Sequence, residues 1–546
     1  MKRAAIFRQL VRHFFDRFFD KESLSPQGQP EAGMVQTLGM LATPAAFVSI
    51  LALPLSFERW DLVAFRFLFQ TYSMVAMGVV MVFEWDALFP DRRDYQILTP
   101  LPLGAFTLLA AKMAALGIFL GIFLGAANFF GVLFWPSVEG RGDFLPVAGT
   151  HLAVMASAGL FAALAIAAFQ GVLRTVLPGA AYRRVSVWAQ TGVMAGLIML
   201  LFVSPLMGSA IGELCRENSA ALRWFPGFWF AGLYEQMRPA VGRAASGSVL
   251  AGVGPMAVRG IWVALGVFLL TFLPGYRRHA RRVLEAPEPS PKGPGRLARM
   301  AGGAVDRWLK DPVECGVFHF IGQTLARSLK HRLFLATYGG LGAALVAIGL
   351  ASGGSSRRVP LTLTFMLVSG LRAAFNFPSD LRANWAFQVS ETSSVAAYVR
   401  ATRKWVMVCA VLPVAAVLAG IEAARGPWGA AAFHFAFVAA ASAVLMEALF
   451  LDFRKAPFTC SHFPGKVNLV LLSVLYVFGF TFYSSYMARL EGWLWSEPAA
   501  AGAFFVAVGA SLWALGRARE RLVSVEAALD YEDDGDPAVC VLGLTE

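Results

Sequence analysis

Apolar runs of about twenty residues, broken by short charged stretches, recur along almost the whole chain. A bilayer core is crossed by roughly 20 mostly apolar residues in one helix, and on that criterion the runs predict twelve spans. They fall at 34–56, 62–84, 113–135, 147–169, 186–209, 256–274, 332–352, 359–377, 404–422, 428–450, 467–487 and 498–516. Six precede a hydrophilic middle segment, 276–331, and six follow it.

Two other segments are apolar on one helical face only. Phe7, Leu10, Val11, Phe14, Phe15 and Phe18 recur at helical spacing against Arg8, Arg12, Asp16 and Arg17. This predicts a helix lying in the membrane interface ahead of the first span. Phe318, Ile321, Leu325 and Leu329, with Arg327 and Lys330, repeat the pattern more weakly ahead of the seventh span. An anchor with no further role and a partner-docking element are both open readings. In the middle, YRRHARR leads into EAPEPSPKGPG, whose prolines predict an extended linker. The expected organisation is a first six-span unit over 1–275, a basic, Pro-rich connector over 276–311, a second six-span unit over 312–516 and an acidic tail over 517–546.

Composition explains why the solvent for most of this chain is lipid. Of its 546 residues 57% are hydrophobic and 15% charged, against ~25% charged in a soluble domain. Too little polar surface remains to cover a water-soluble body. The net charge of +12 is read first as topology, because cytoplasmic loops carry the Lys/Arg excess. Lys2, Arg3, Arg8, Arg12, Arg17 and Lys21 share a side with Arg92 and Arg93, with Arg174, Arg183 and Arg184, and with the middle segment. Both termini are therefore expected in the cytoplasm, and the membrane is expected to be the inner membrane of a prokaryote. Arg357, Arg358 and the 210–255 loop run against the trend. No basic-aromatic surface lies outside the apolar runs, so nucleic acid is not an expected partner. Cys215, Cys315, Cys409, Cys460 and Cys540 are scattered without a C-x-x-C pair, which predicts neither disulfides nor a metal site.

The two halves share landmarks in the same order. Phe89-Pro90 and Phe377-Pro378 each follow the second span of their half, and Pro178-Gly179 and Pro464-Gly465 each follow the fourth. The step between landmarks is 88 residues in the first half and 86 in the second. This pattern predicts an internal duplication. Six spans per copy return the chain to its starting side, so the copies would be parallel, related by an axis along the membrane normal. A substrate path is then expected between the halves.

Candidate chemistry is sparse. His151 and His434 stand alone in apolar spans, and packing or hydrogen bonding is the first reading of each. Glu447 and Asp452 are expected to pair with Arg454 or Lys455 at the membrane interface. Arg66 interrupts its span near one end, leaving a functional role and snorkelling both open, while Arg372 is expected to snorkel. No carboxylate lies mid-span, which argues against ion coupling. The phosphate-cradling G-x-x-x-x-G-K-[ST] pattern is absent, since Gly465-Lys466 is followed by Val467. No catalytic residue and no cofactor are expected in this chain. In the 210–255 loop, RWFPGFWFAGLYEQ (223–236) is aromatic enough to lie at the interface with Trp224 and Trp229 among headgroups, or to form an exit lip for an amphiphilic substrate.

Between the second and third spans stands FPDRRDYQILTPLPLGAFTLLAAK (89–112). Pro100 and Pro102 stiffen a turn, Leu101 and Leu103 form a small apolar knob, and Asp91, Arg92, Arg93 and Asp94 rim it, with Lys112 in the following helix. A stiff loop whose arginines meet anionic lipid is the plain reading. The segment also resembles the coupling element of ABC-2-type permeases, the membrane subunits of ATP-binding-cassette exporters. In that family a six-span unit opens with an amphipathic helix, and an L-x-x-L-P-[LVI] turn precedes a helix with a cytoplasmic Lys. The resemblance implies a permease driven by a separate cytoplasmic ATPase that docks on Asp91–Asp94, Pro100–Leu103 and Lys112 and carries the ATP and Mg. The second-half counterpart, Phe377, Pro378, Asp380 and Arg382, lacks the Pro-Leu-Pro turn. Besides that ATPase, membrane lipid and like or unlike membrane subunits are the partners in view. The alternatives are a twelve-span secondary transporter of the major facilitator kind, whose loop would keep only the DRR of its motif, and a membrane-embedded transferase.

Overall fold

The computed structural model describes residues 2–19, 62–85, 104–139, 144–237, 249–285, 305–353, 355–379, 395–451, 455–459 and 478–525, with short pieces between them. The described residues form helices and no strand, as expected where lipid offers the backbone no hydrogen-bond partners and each helix must satisfy its own. Among them, nine helices are long and apolar enough to cross a membrane. The predicted span 34–56 lies outside the described residues, as do residues 467–475 of the predicted span 467–487. The eighth predicted span forms a helix of 17 residues, Arg358–Ala374. The chain divides into two compact units, Met1–Ser290 and Pro291–Glu546.

The first unit begins with α1 (Lys2–Phe19), continues with α2 (Leu62–Phe83), α3 (Ala105–Glu139), α4 (Phe144–Val176) and α5 (Gly179–Ser209), and ends with the shorter α6 (Pro226–Met237) and the long α7 (Val249–Glu285). Its centre is α2. Buried residues fill 89% of the apolar stretch of α2, against 6–50% in the other candidate spans. A helix enclosed on all sides can carry polar groups, and α2 buries Arg66, Gln70, Thr71 and Ser73. Ser73 donates to the Met155 carbonyl at 2.8 Å and accepts from Asn128 at 3.1 Å, which ties α2 to α4 and α3. Small residues set the close approaches, as is usual between membrane helices. A Cβ on Gly159 would sit 2.5 Å from Leu124 Cδ1 and 2.8 Å from Met77 Cγ.

Outside this core, α1 presses Leu10, Phe14 and Phe18 onto α3, with the Phe18 and Phe119 rings 5.3 Å apart. The amphipathic period of its sequence is thus buried against protein on its apolar side.

The second unit opens with α8 (Pro312–Arg327), capped by Asp311, whose carboxylate accepts from the Val313 N–H at 2.9 Å while Pro312 fills the first helical position. There follow α9 (Leu329–Ala351), α10 (Arg358–Ala374), α11 (Val395–Ala423), α12 (Trp428–Leu449), α13 (Met487–Ser496) and α14 (Pro498–Val525). A π-helical turn, Val406–Val411, widens α11 just before Pro413, which has no N–H to continue the α-helical ladder. As α1 does on α3, α8 lies on the first turns of α11, with Val317, Ile321 and Leu325 buried against Tyr398 and Val399.

Two charged residues behave differently from the sequence expectation. Glu447 pairs with Arg403 of α11 and, at 2.5 Å, with Arg519 of α14, because the helix face that carries it turns inward, away from its chain neighbours. Arg372 does not reach for headgroups. It donates to the Leu449 carbonyl at 3.1 Å and to Asn376 Oδ1 at 3.0 Å, under the rings of Phe450 and Phe453. Asp452 lies outside the described residues.

Candidate functional site: an acid–base cluster at one end of each unit

Of the residues singled out for coupling, Asp91, Arg92, Arg93, Asp94, Pro100, Leu101, Pro102 and Leu103 lie outside the described residues, as do Asp380 and Arg382. Lys112 is described. It is buried in the first turns of α3, its ammonium 5.7 Å from the centre of the Phe14 ring of α1. Phe377 and Pro378 belong to a turn folded against 455–459. The Ser379 N–H donates to the Phe458 carbonyl at 2.9 Å, and the Phe458 N–H donates to the Phe375 carbonyl at 3.2 Å. His331 of α9 meets the Phe377 carbonyl at 2.9 Å.

The densest ionisable chemistry of the first unit lies at the far end of α3 from Lys112, about 40 Å away at 1.5 Å per residue. Arg66, 2% exposed, bridges two carboxylates with the two arms of its guanidinium. One nitrogen meets Glu139 at 2.7 Å, at the last turn of α3, and the other meets Glu235 of α6 at 2.5 Å. The Trp135 N–H donates to both Glu139, at 3.0 Å, and the Tyr234 hydroxyl, at 2.9 Å, and Tyr234 in turn donates to Glu139 at 3.3 Å. Burial, with the Glu139 charge beside it, holds the Tyr234 phenol above its usual range. His151 of α4 is fully enclosed and stacks on Trp135 with ring centres 5.3 Å apart, its two nitrogens without a hydrogen-bond partner. A guanidinium is always charged and forks in a plane, so Arg66 joins α2, α3 and α6 permanently.

The corresponding end of the second unit holds another cluster. His434 of α12 hydrogen-bonds through Nδ1 to Glu491 of α13, and its Nε2 lies 3.8 Å from Glu422, at the last turn of α11. Glu491 is buried, and its second oxygen has no hydrogen-bond partner. Arg357, just ahead of α10, runs along Gly492, where an added Cβ would lie 2.6 Å from its Nη1. Here an imidazole stands between two carboxylates, as the guanidinium of Arg66 does in the first unit.

Members of the two clusters occupy matching places in their units. Glu139 and Glu422 stand at the last turns of α3 and α11, and His151 and His434 follow each of them by twelve residues. Glu235 and Glu491 lie in the short helices α6 and α13, each followed by a long helix, and Arg66 and Arg357 stand near the start of α2 and just ahead of α10. Sequence reasoning flagged Arg66, His151 and His434 singly and missed the four glutamates, Trp135 and Tyr234. The available signal was the equal Glu-to-His step at the same span junction.

The second unit also holds an apolar pocket of about 590 Å³, open on one side, between α10, α12, α14 and the helical residues 478–486 that lead into α13. Tyr483 lines it, its hydroxyl bonded to Ser442 at 2.9 Å. No known family model, no curated protein and no solved structure matches the chain.

Proposed function

We propose that the chain is a membrane permease made of two fused, parallel six-helix units and driven by a separate cytoplasmic ATPase of the ATP-binding-cassette kind. One observation carries the reading: in each unit an amphipathic helix, α1 or α8, is docked on the first turns of the third-span helix. That is the arrangement by which a partner beneath the membrane can move a transmembrane helix. Duplication is supported independently by the matched glutamates, histidines and arginines of the end clusters. In this reading the clusters lie at the outer face, α1 and α8 lie at the cytoplasmic face, and the 89–112 segment receives the ATPase.

Purification in mild detergent tests it. An ATP-binding subunit is expected in stoichiometric amount, and it should be lost when Leu101 and Leu103 are both changed to Asp. Recovery of no ATPase, together with uptake driven by an ion gradient, overturns the reading. The second reading, a twelve-span secondary transporter, is favoured by one specific feature, the imidazole held between two carboxylates at His434.

A further inference from the structure

Outside the end clusters, one group of side chains converges without a role in the proposed transport. Asp306 lies in the last turn of the connector, and Cys315 and His319 lie one helical turn apart on the same face of α8. The Cys315 thiol donates to Asp306 Oδ1 at 3.0 Å, and His319 Nε2 donates to the same oxygen at 2.8 Å. Sulfur, nitrogen and oxygen donors thus meet at one point, with all three atoms within 4.8 Å of one another.

Two chemistries fit a Cys, a His and an Asp so placed. A nucleophilic cysteine needs a lowered thiol pKa and a histidine bonded to the sulfur. Here both the thiol and the imidazole point at the carboxylate, and neither is bonded to the other. That carboxylate, with sulfur and nitrogen donors beside it, suits a divalent cation.

We propose that Asp306, Cys315 and His319 bind a divalent transition-metal ion of the zinc class, with the fourth position open to water. Zinc takes Cys sulfur, His nitrogen and carboxylate oxygen in a tetrahedron. At ordinary zinc–ligand lengths those donors stand about 3.4–3.6 Å apart, so the present hydrogen-bonded separations open by roughly half an ångström. The i, i+4 placement on a capped helix fixes two donors in advance. Asp306 is 57% exposed and His319 37%, which leaves a path from solvent. On binding, the Cys315 thiol loses its proton to buffer, one per ion, and the sulfur–metal bond forms in its place. The ion then clasps the end of the connector to α8, where Trp308 already lies edge-on to Phe318 and under the Lys404 ammonium. This site departs from the sequence expectation of no metal, which weighed C-x-x-C spacing and overlooked the Cys-x-x-x-His step.

The test uses the full chain in detergent, purified without a polyhistidine tag and titrated with Co²⁺ and then Zn²⁺. One equivalent of Co²⁺ is expected to give a thiolate-to-metal charge-transfer band that Zn²⁺ bleaches. Cys315→Ser should abolish the band. Asp306→Asn and His319→Ala should each weaken binding by at least the 10–100-fold typical of losing even an outer-shell partner. All three variants should unfold like the parent chain without metal, since Asp306 is exposed and Cys315 and His319 are only half-buried. Absence of the band, or a band that survives Cys315→Ser because another cysteine supplies it, overturns the proposal.

Discussion

Changing Arg66 to Met tests the central claim about the first unit. In the native fold its guanidinium neutralises Glu139 and Glu235, both mostly enclosed, at 2.7 and 2.5 Å. Methionine fills a similar volume and removes the guanidinium that both carboxylates share. Removing one partner of a buried pair costs about 3–5 kcal/mol, and here two acids lose the same guanidinium at once, so the upper end of that range is expected. A lysine in the same place recovers only part of the loss, because one ammonium cannot fork between acids on α3 and α6. The triple variant Arg66→Met, Glu139→Gln, Glu235→Gln should regain most of the stability, since replacing a whole buried ionic group by neutral residues is close to neutral. Equilibrium unfolding in mixed micelles, followed by the fluorescence of Trp135 and the other tryptophans, measures all three. The reasoning is refuted if Arg66→Met lies within about 1 kcal/mol of the parent, the range of a solvated ion pair, or if the triple variant is no more stable than the single one.

Gly232→Ala should cost more than Gly159→Ala. The new Cβ at Gly232 meets backbone, the Leu250 carbonyl at 2.3 Å and the Gly254 nitrogen at 2.8 Å, whereas at Gly159 it meets only side chains. Overpacking costs typically about 1–3 kcal/mol, and thermal unfolding ranks the pair. Changing Phe14 to Ala should loosen α1 from α3, read as faster hydrogen exchange over 2–19 with α2 unchanged. Docking of α8 should depend on acid. Burial alone would raise the Glu314 carboxyl, but hydrogen bonds and charge from Lys404 and Arg400 hold it below its usual value. A depressed carboxyl stabilises above its unfolded pKa, and that contribution is lost as pH falls through the folded one. Exchange over α8 should therefore rise on acidification below the ordinary carboxylate range, and Glu314→Gln should remove the pH dependence while raising exchange at neutral pH.

Much of the architecture was legible in the chain because lipid leaves few options. An apolar run of about twenty residues has no stable state in a bilayer other than a helix, so ten of the twelve predicted spans correspond to helices among the described residues. The periodicity of Phe7 to Phe18 marked α1 for the same kind of reason, since its apolar stripe needs a cover. Which surface covers it was not legible. Lipid and α3 are equally apolar partners, and only the fold puts Phe14 over Lys112.

The charged groups follow the opposite logic. Arg66 stands 73 residues from Glu139 and 169 from Glu235, and nothing in local sequence relates them. Each looked like an isolated charge near a membrane boundary, for which solvation by headgroups is the cheapest outcome. Enclosing α2 removed that outcome for Arg66 and made two distant carboxylates its counterions. In the second unit the same places hold Glu422 and Glu491 around His434, so one junction is joined by a guanidinium and the other by an imidazole. Hydropathy determined where the helices run; the packing of α2, α6 and α13 decided which charges meet, because a buried ion must find its partner wherever the fold brings one.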